Sequence, residues 1–260
     1  MPPSLDNPAV WALTQAKALL WLLVLTRLSG LLAALPGLGQ ERVPLQVRAA
    51  LAVLMATIIT PVIPGPKALP QSLWDVLAFM VMEFAVGLLL GLLVGWILEA
   101  VSMGGYLMDV QMGFSFVQMV DPSTSQTVSV SGVVLAQLSL LFIFLSGLHH
   151  QMIQALVESY RIAPLGSGLP GDPQKVVVLL GQMLARGFQL AFPVMLTLFL
   201  VDALEGISAR FMPQLQLMQL AFPLKIAVGL AVLAVLLRSF AGWLEPLVRA
   251  APIEALRLLG

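Results

Sequence analysis

The chain contains no cysteine. That excludes disulfides, thiolate nucleophiles and thiolate metal sites. Charge is scarce too: 10% of residues are charged, against about 25% in soluble domains. The 13 basic and 13 acidic side chains cancel, so no basic surplus exists to hold a polyanion, and nucleic acid is not expected as a partner. There is no G-x-x-x-x-G-K-[ST], no H-E-x-x-H and no G-x-S-x-G. P-loop, zincin and nucleophile-elbow centres are thereby excluded. No low-complexity tract or short repeat is evident. Residues 1–7 carry no basic cluster, so a cleaved signal peptide is not expected and the first apolar stretch is expected to stay in the mature protein.

What fills the chain is apolar surface. Hydrophobic residues make up 59% of it, and the mean hydropathy is +0.97. A water-soluble globule of 260 residues has no interior large enough for that much apolar surface. The chain is therefore embedded in a membrane or in a larger apolar assembly. A soluble enzyme domain, a disordered protein and a disulfide scaffold are all excluded.

Six apolar stretches stand out, at 9–35, 49–63, 73–101, 128–148, 176–201 and 220–237. Several reach the roughly 20 residues a spanning helix needs. The second and sixth are short, which suits tilting, kinking or shielding by other subunits. Pro61 and Pro64 end the second, and Pro193 is expected to bend the fifth. The expected fold is an all-α integral membrane protein, its helical segments arranged as hairpins. It divides into N-terminal helices (1–102), a special segment (103–126) and C-terminal helices (127–260). With six spans, one side would hold Lys67, Arg161, Lys175, Arg238, Arg249 and Arg257, the other Arg42, Arg48, Arg210 and Lys225. That asymmetry is weak for the positive-inside rule.

Two patterns carry candidate function. Glu83, Gly87, Gly91, Gly95 and Glu99 recur every four residues, a row that drifts slowly around one helix face. The glycines open that face to close approach by another helix. Glu83 lies deep in an apolar segment, where an ionised carboxylate is expensive unless paired. It reads either as a satisfied polar group in a tight helix contact or as part of a proton or ion relay. Arg27 is its candidate partner.

The second pattern spans 104–122. Met108, Met112, Phe116 and Met119 fall at helical spacing, while Gly105, Asp109 and Gly113 form another row. Such a stripe is by default core. Clustered methionines also suit a surface that refits changing neighbours, and Gly113 permits a break between half-segments. Asp121-Pro122-Ser123-Thr124-Ser125 reads as a turn and helix start. Weaker signals are His149-His150, read as a structural pair near a helix end, Arg186 and Asp202, read as snorkelling or paired, and Gln214, Gln216 and Gln219, a polar patch after Pro213.

These residues together resemble the FliR family of bacterial type III secretion export-gate proteins. The likeness runs through most of the chain. It rests on Thr26-Arg27-Leu28-Ser29-Gly30, Pro36, Val43-Pro44, Arg48 and Thr60-Pro61; on Glu83, Gly87 and Gly91; on Gln111-Met112-Gly113-Phe114-Ser115-Phe116 with Asp121-Pro122; on His149, Ser159-Tyr160 and Pro164-Leu165-Gly166; and on Pro213-Gln214 with Phe222-Pro223-Leu224-Lys225. Leu148 before His149 and Gln216 after the Pro-Gln pair depart from the usual family pattern.

The resemblance implies a non-enzymatic subunit without cofactor or metal. It would assemble with FliP and FliQ, near FlhB and FlhA, into a hetero-oligomeric channel for unfolded flagellar proteins. Its place would be the bacterial inner membrane, within the flagellar basal body, with much of the assembly above the usual membrane plane and in contact with lipid. Met112, Gly113, Phe114, Ser115 and Phe116 would form a pore plug flanked by the Asp121-Pro122 turn. Arg27, Glu83, Gly87, Gly91 and Gly95 would pack helices around buried polar groups. Gln214, Phe222, Pro223 and Lys225 would make a C-terminal contact. The same role in a virulence injectisome shares these motifs. A small secondary transporter using Glu83 and Arg186 is the alternative from another class.

Overall fold

A computed structural model describes residues 8–35, 43–65, 70, 72–114, 129–167, 172–211 and 217–260. Every regular element among them is an α-helix: α1 (Pro8–Ala34), α2 (Leu45–Ile59), α3 (Leu73–Met112), α4 (Val130–Leu145), α5 (Leu148–Ile162), α6 (Pro173–Phe211) and α7 (Leu217–Leu259). α1, α3, α6 and α7 each hold a segment long and apolar enough to cross a membrane. α4 and α5 together are apolar enough for one further span, bent by 69°. The protein is all-α and integral to the membrane.

Local chemistry sets several boundaries. α3 starts in a reciprocal capping box, in which Asp75 N–H donates to the Ser72 hydroxyl at 3.2 Å and Ser72 N–H donates to the Asp75 carboxylate at 3.0 Å. Pro173 opens α6, where its missing N–H is no loss. Gln174 N–H donates to the Asp172 carboxylate at 2.9 Å just there. Gly147, at φ +73°, separates α4 from α5, a conformation that suits a residue without Cβ.

Several elements differ from the hydropathy reading. α3 runs past position 101 to Met112 because Gly104 and Gly105 serve close helix contacts and do not break the helix. α5 has no apolar run, but it buries Leu148, Met152, Ala155, Leu156, Ser159 and Tyr160 along one face. α7 continues past Leu237 to Leu259. Its charged residues lower the hydropathy there, while Phe240, Leu244, Val248, Ala251, Ala255 and Leu258 keep a buried stripe at helical spacing. α6 passes through Pro193 as one helix.

Two compact units are present, and each is described by itself. The first comprises 1–95, 147–176 and 249–260. Here α1 and α2 run antiparallel, with Trp21 Nε1 donating to the Thr57 hydroxyl at 3.2 Å. α1 runs parallel to the first half of α3: Gly30 lies on Phe84, Gly87 on Arg27, and Gly91 on Leu31. Leu23, Val24 and Leu28 of α1 and Val86, Leu90 and Leu93 of α3 are all buried.

The second unit comprises 96–146 and 177–248. The second half of α3 packs antiparallel on α4, where Gly105 meets Gly132 backbone to backbone. It packs parallel on α6, where Gly187 faces Ala100 and Gly104 faces Gly187. Bare backbone at these crossings permits the close approach.

Candidate functional site

In the first unit, the glycine row of α3 brings Arg27 of α1 against Glu83. A Cβ at Gly87 would overlap the Arg27 carbonyl oxygen. Close approach makes the pair short: Arg27 Nε donates to Glu83 Oε2 at 2.6 Å, with 1% and 3% of the two side chains exposed. Arg27 also donates from Nη1 to the Ser159 hydroxyl and from Nη2 to the Ala163 carbonyl, each at 2.9 Å. Its guanidinium carbon sits 4.1 Å from the centre of the Tyr160 ring, within cation–π range. Glu83 Oε1 accepts from Gly166 N–H at 3.2 Å. Gly166 holds φ +78°. One buried ion pair thus ties α1, α3, α5 and the following turn, and each guanidinium nitrogen and each carboxylate oxygen has a hydrogen-bond partner within the protein. Gly91 packs on α1 in the same way, and Gly95 more loosely, 3.5 Å from the Ala34 carbonyl oxygen to an added Cβ.

In the second unit, the Gly105–Asp109–Gly113 row of α3 makes a chain of contacts. Asp109 is 4% exposed. Its carboxylate accepts from the Ser129 hydroxyl at 2.7 Å and from Ser131 N–H at 3.0 Å. Ser129 in turn accepts from Gly132 N–H at 2.9 Å, so a buried carboxylate and a hydroxyl together cap α4. α3 then ends at Gly113, whose φ of +86° takes the chain out of the helix. An added Cβ on Gly113 would stand 3.0 Å from the Phe222 ring of α7. Met112 is fully buried and fills the space left by Gly229.

Of the plug residues expected from sequence, Met112, Gly113 and Phe114 are placed, with Phe114 half-buried. Ser115, Phe116, Asp121, Pro122 and Gln214 lie outside the described residues. Met108 and Met112 are core within this unit. Lys225 lies near the end of α3 and pairs with Asp202 of α6, with Glu205 at 4.0 Å. Gln111 Nε2 donates to the Asp202 carboxylate at 3.2 Å. Pro223 is exposed.

Sequence reading missed Ser159 and Tyr160 as partners of Arg27, and Asp109 as the cap of α4. The 20 positions between Asp109 and Ser129 carry no periodic signal that would join them. Arg186, read as snorkelling or paired, bonds Gln189 at 3.2 Å on an exposed face. His149 and His150 sit in the first turn of α5, ring centres 4.1 Å apart. Among the described residues no group of three or more histidine, aspartate or glutamate side chains is arranged to hold a metal ion.

The family model described as "Bacterial export proteins, family 1" matches residues 18–251, a span that takes in both units. The chain belongs to that family. This export protein is 33% identical over 221 residues to the flagellar biosynthetic protein FliR of Bacillus subtilis, covering 83% of this chain and 85% of the relative. It is 29% identical over 224 residues to FliR of Caulobacter vibrioides, covering 84% and 88%. It is also 24% identical over 228 residues to Yop proteins translocation protein T of Yersinia pestis, covering 86% and 87%. It is a FliR-family protein, as the resemblance in sequence implied.

Proposed function

We infer that this FliR-family protein is a gate subunit of a flagellar type III export apparatus, and that the segment after α3 plugs the pore. One observation carries the plug reading most directly. A 40-residue apolar helix ends at Gly113, whose positive φ sends the chain off the helix axis inside the Gln111–Phe116 motif. Helix packing fixes the root of that segment, through Met112 on Gly229 and Phe222 on Gly113. A pore for unfolded protein must block ions and still yield to varied side chains. Apolar constrictions block by dewetting, and flexible Met and Phe side chains refit around what passes.

In this reading residues 103–126 hold the plug, with Ser115 and Phe116 completing it and Asp121-Pro122 turning the chain back. The segments before and after it build the walls. The partners are FliP-, FliQ-, FlhB- and FlhA-type chains, the cargo is unfolded flagellar protein, and the place is the inner membrane at the flagellar basal body. Exposed Phe188, Phe192 and Phe199 on α6 give lipid or neighbouring subunits an apolar face to cover. The chain makes or breaks no covalent bond, and energy comes from partners.

The Yersinia relative favours a second reading, the equivalent gate in an injectisome. Higher identity to FliR proteins supports the flagellar one. The transporter reading loses support, because Glu83 is held by Arg27 and the Gly166 N–H.

Deleting residues 113–116 tests the plug. Cells should become leaky to ions while the complex, purified from native membranes, keeps its FliP-like and FliQ-like chains. An intact ion barrier with the complex present overturns the plug.

A further inference from the structure

The last turn of α3 is held from one side by a single face of α7. Phe222, Lys225 and Gly229 are spaced i, i+3, i+7, so they line up on that face. Phe222 meets Gly113 and Gly229 receives Met112. Between them Lys225 pairs with Asp202 of α6, and the same carboxylate accepts from Gln111 of α3 at 3.2 Å. Three helices therefore converge on one carboxylate, one residue before Met112 and two before the helix-ending Gly113.

We propose that Gln111, Asp202 and Lys225 form a clamp that positions the final turn of α3 and, through it, the root of the plug. The proposal rests on the plug reading above. A carboxylate beside the last turn of a helix faces the negative end of the helix dipole, and does so at a disadvantage. Lys225 offsets that disadvantage, so Asp202 can stay and hold Gln111. The lysine is 20% exposed and Asp202 36%, so water is partly excluded and the pair is screened less than a surface pair. Glu205, 4.0 Å from the ammonium, is a second anion that keeps Lys225 over the same spot on α6. Methionine and phenylalanine contacts are soft and slide. A directional hydrogen bond to a paired carboxylate fixes axial register where those contacts do not. Gln111, Asp202 and Lys225 are positioning residues: they act on the plug through Met112 and Gly113.

The absence of native cysteine makes a direct test clean. Nitroxide labels are attached after Val110→Cys and Leu230→Cys, at exposed positions of α3 and α7, in the full chain within its membrane complex. Lys225→Met keeps the aliphatic stem and removes the charge, and Asp202→Asn removes the anion. Both should broaden the distance distribution between the labels, and Lys225→Arg should restore it. Both should also raise ion leak several-fold in cells that still assemble the complex, with Lys225→Arg again near the parent. An unchanged label distribution overturns the clamp. A broadened distribution without leak, in a background where deleting 113–116 does leak, overturns its link to the gate. If the distribution broadens and the deletion does not leak either, the clamp's hold on α3 stands and the plug reading falls.

Discussion

Arg27 donates to Glu83 at 2.6 Å across 56 positions of sequence, and both side chains are almost wholly buried. A hydrophobic pair in their place would avoid the desolvation of two ions, so the pair is weak grounds for stability as such. Breaking it is a different matter, because one charge is left buried without its partner.

Arg27→Gln and Glu83→Gln are each expected to destabilise the first unit by about 3–5 kcal/mol. Arg27→Gln combined with Glu83→Gln should cost less than the sum of the single changes, since neither charge is then stranded. Thermal melting of the detergent-purified complex measures this. A double variant as unstable as the sum of its singles would remove the coupling.

Tyr160 separates two contributions at the same node. Its ring lies on the Arg27 guanidinium at 4.1 Å, while its hydroxyl is buried and, among the described residues, has no hydrogen-bond partner. Tyr160→Phe keeps the ring and removes an unsatisfied group, so stability should hold or rise. Tyr160→Leu should cost about 1–3 kcal/mol through the lost cation–π contact and altered packing. Melting temperatures of the two variants should therefore move apart; equal losses would contradict the assignment.

The glycines of the four-residue row are not equivalent. Gly87→Ala puts a methyl into the Arg27 carbonyl, whereas Gly95→Ala meets, among the described residues, the Ala34 carbonyl oxygen alone, at 3.5 Å, an ordinary contact. Overpacking at Gly87 should cost about 1–3 kcal/mol. At Gly95 the change should be near neutral, and at Gly181 in α6, where none of the described residues lies within 4 Å of an added Cβ, helix propensity should stabilise by about 0.5–1 kcal/mol. Assembly yield and melting temperature should follow the order Gly181, Gly95, Gly87.

Gly113→Ala combines a positive φ of +86° with a Phe222 ring 3.0 Å from the new methyl. The conformation alone costs an L-residue about 1–2 kcal/mol. The variant should assemble, because the strain is confined to the end of α3, and it should raise ion leak in cells. Adding Phe222→Leu should relieve the steric part and leave the backbone part, so leak should fall only partway toward the parent.

Much of this protein was legible in its residues. Scarce charge and long apolar runs gave the membrane class, and ordered short motifs gave the family. The four-residue glycine row marked a close helix contact. α7 was read too short because hydropathy falls where Arg238, Glu245 and Arg249 enter, although the buried stripe continues. Amphipathic α5 was missed as an element for the same reason, since a run of apolar residues is a poorer guide than their period once one face is polar.

The sequence by itself determined that the chain is helical and embedded in an apolar medium, and it permitted a break at Gly113, because composition and periodicity act locally and within each segment. Tertiary structure decided that Arg27 meets Glu83 and Ser159, that Asp109 caps α4, and that Gln111, Asp202 and Lys225 converge. Those partners stand tens of residues apart. A helix's own period fixes which side chains share a face; which foreign face comes to lie against them depends on how whole helices pack, and that is settled by the fit of many bare-backbone and side-chain contacts at once.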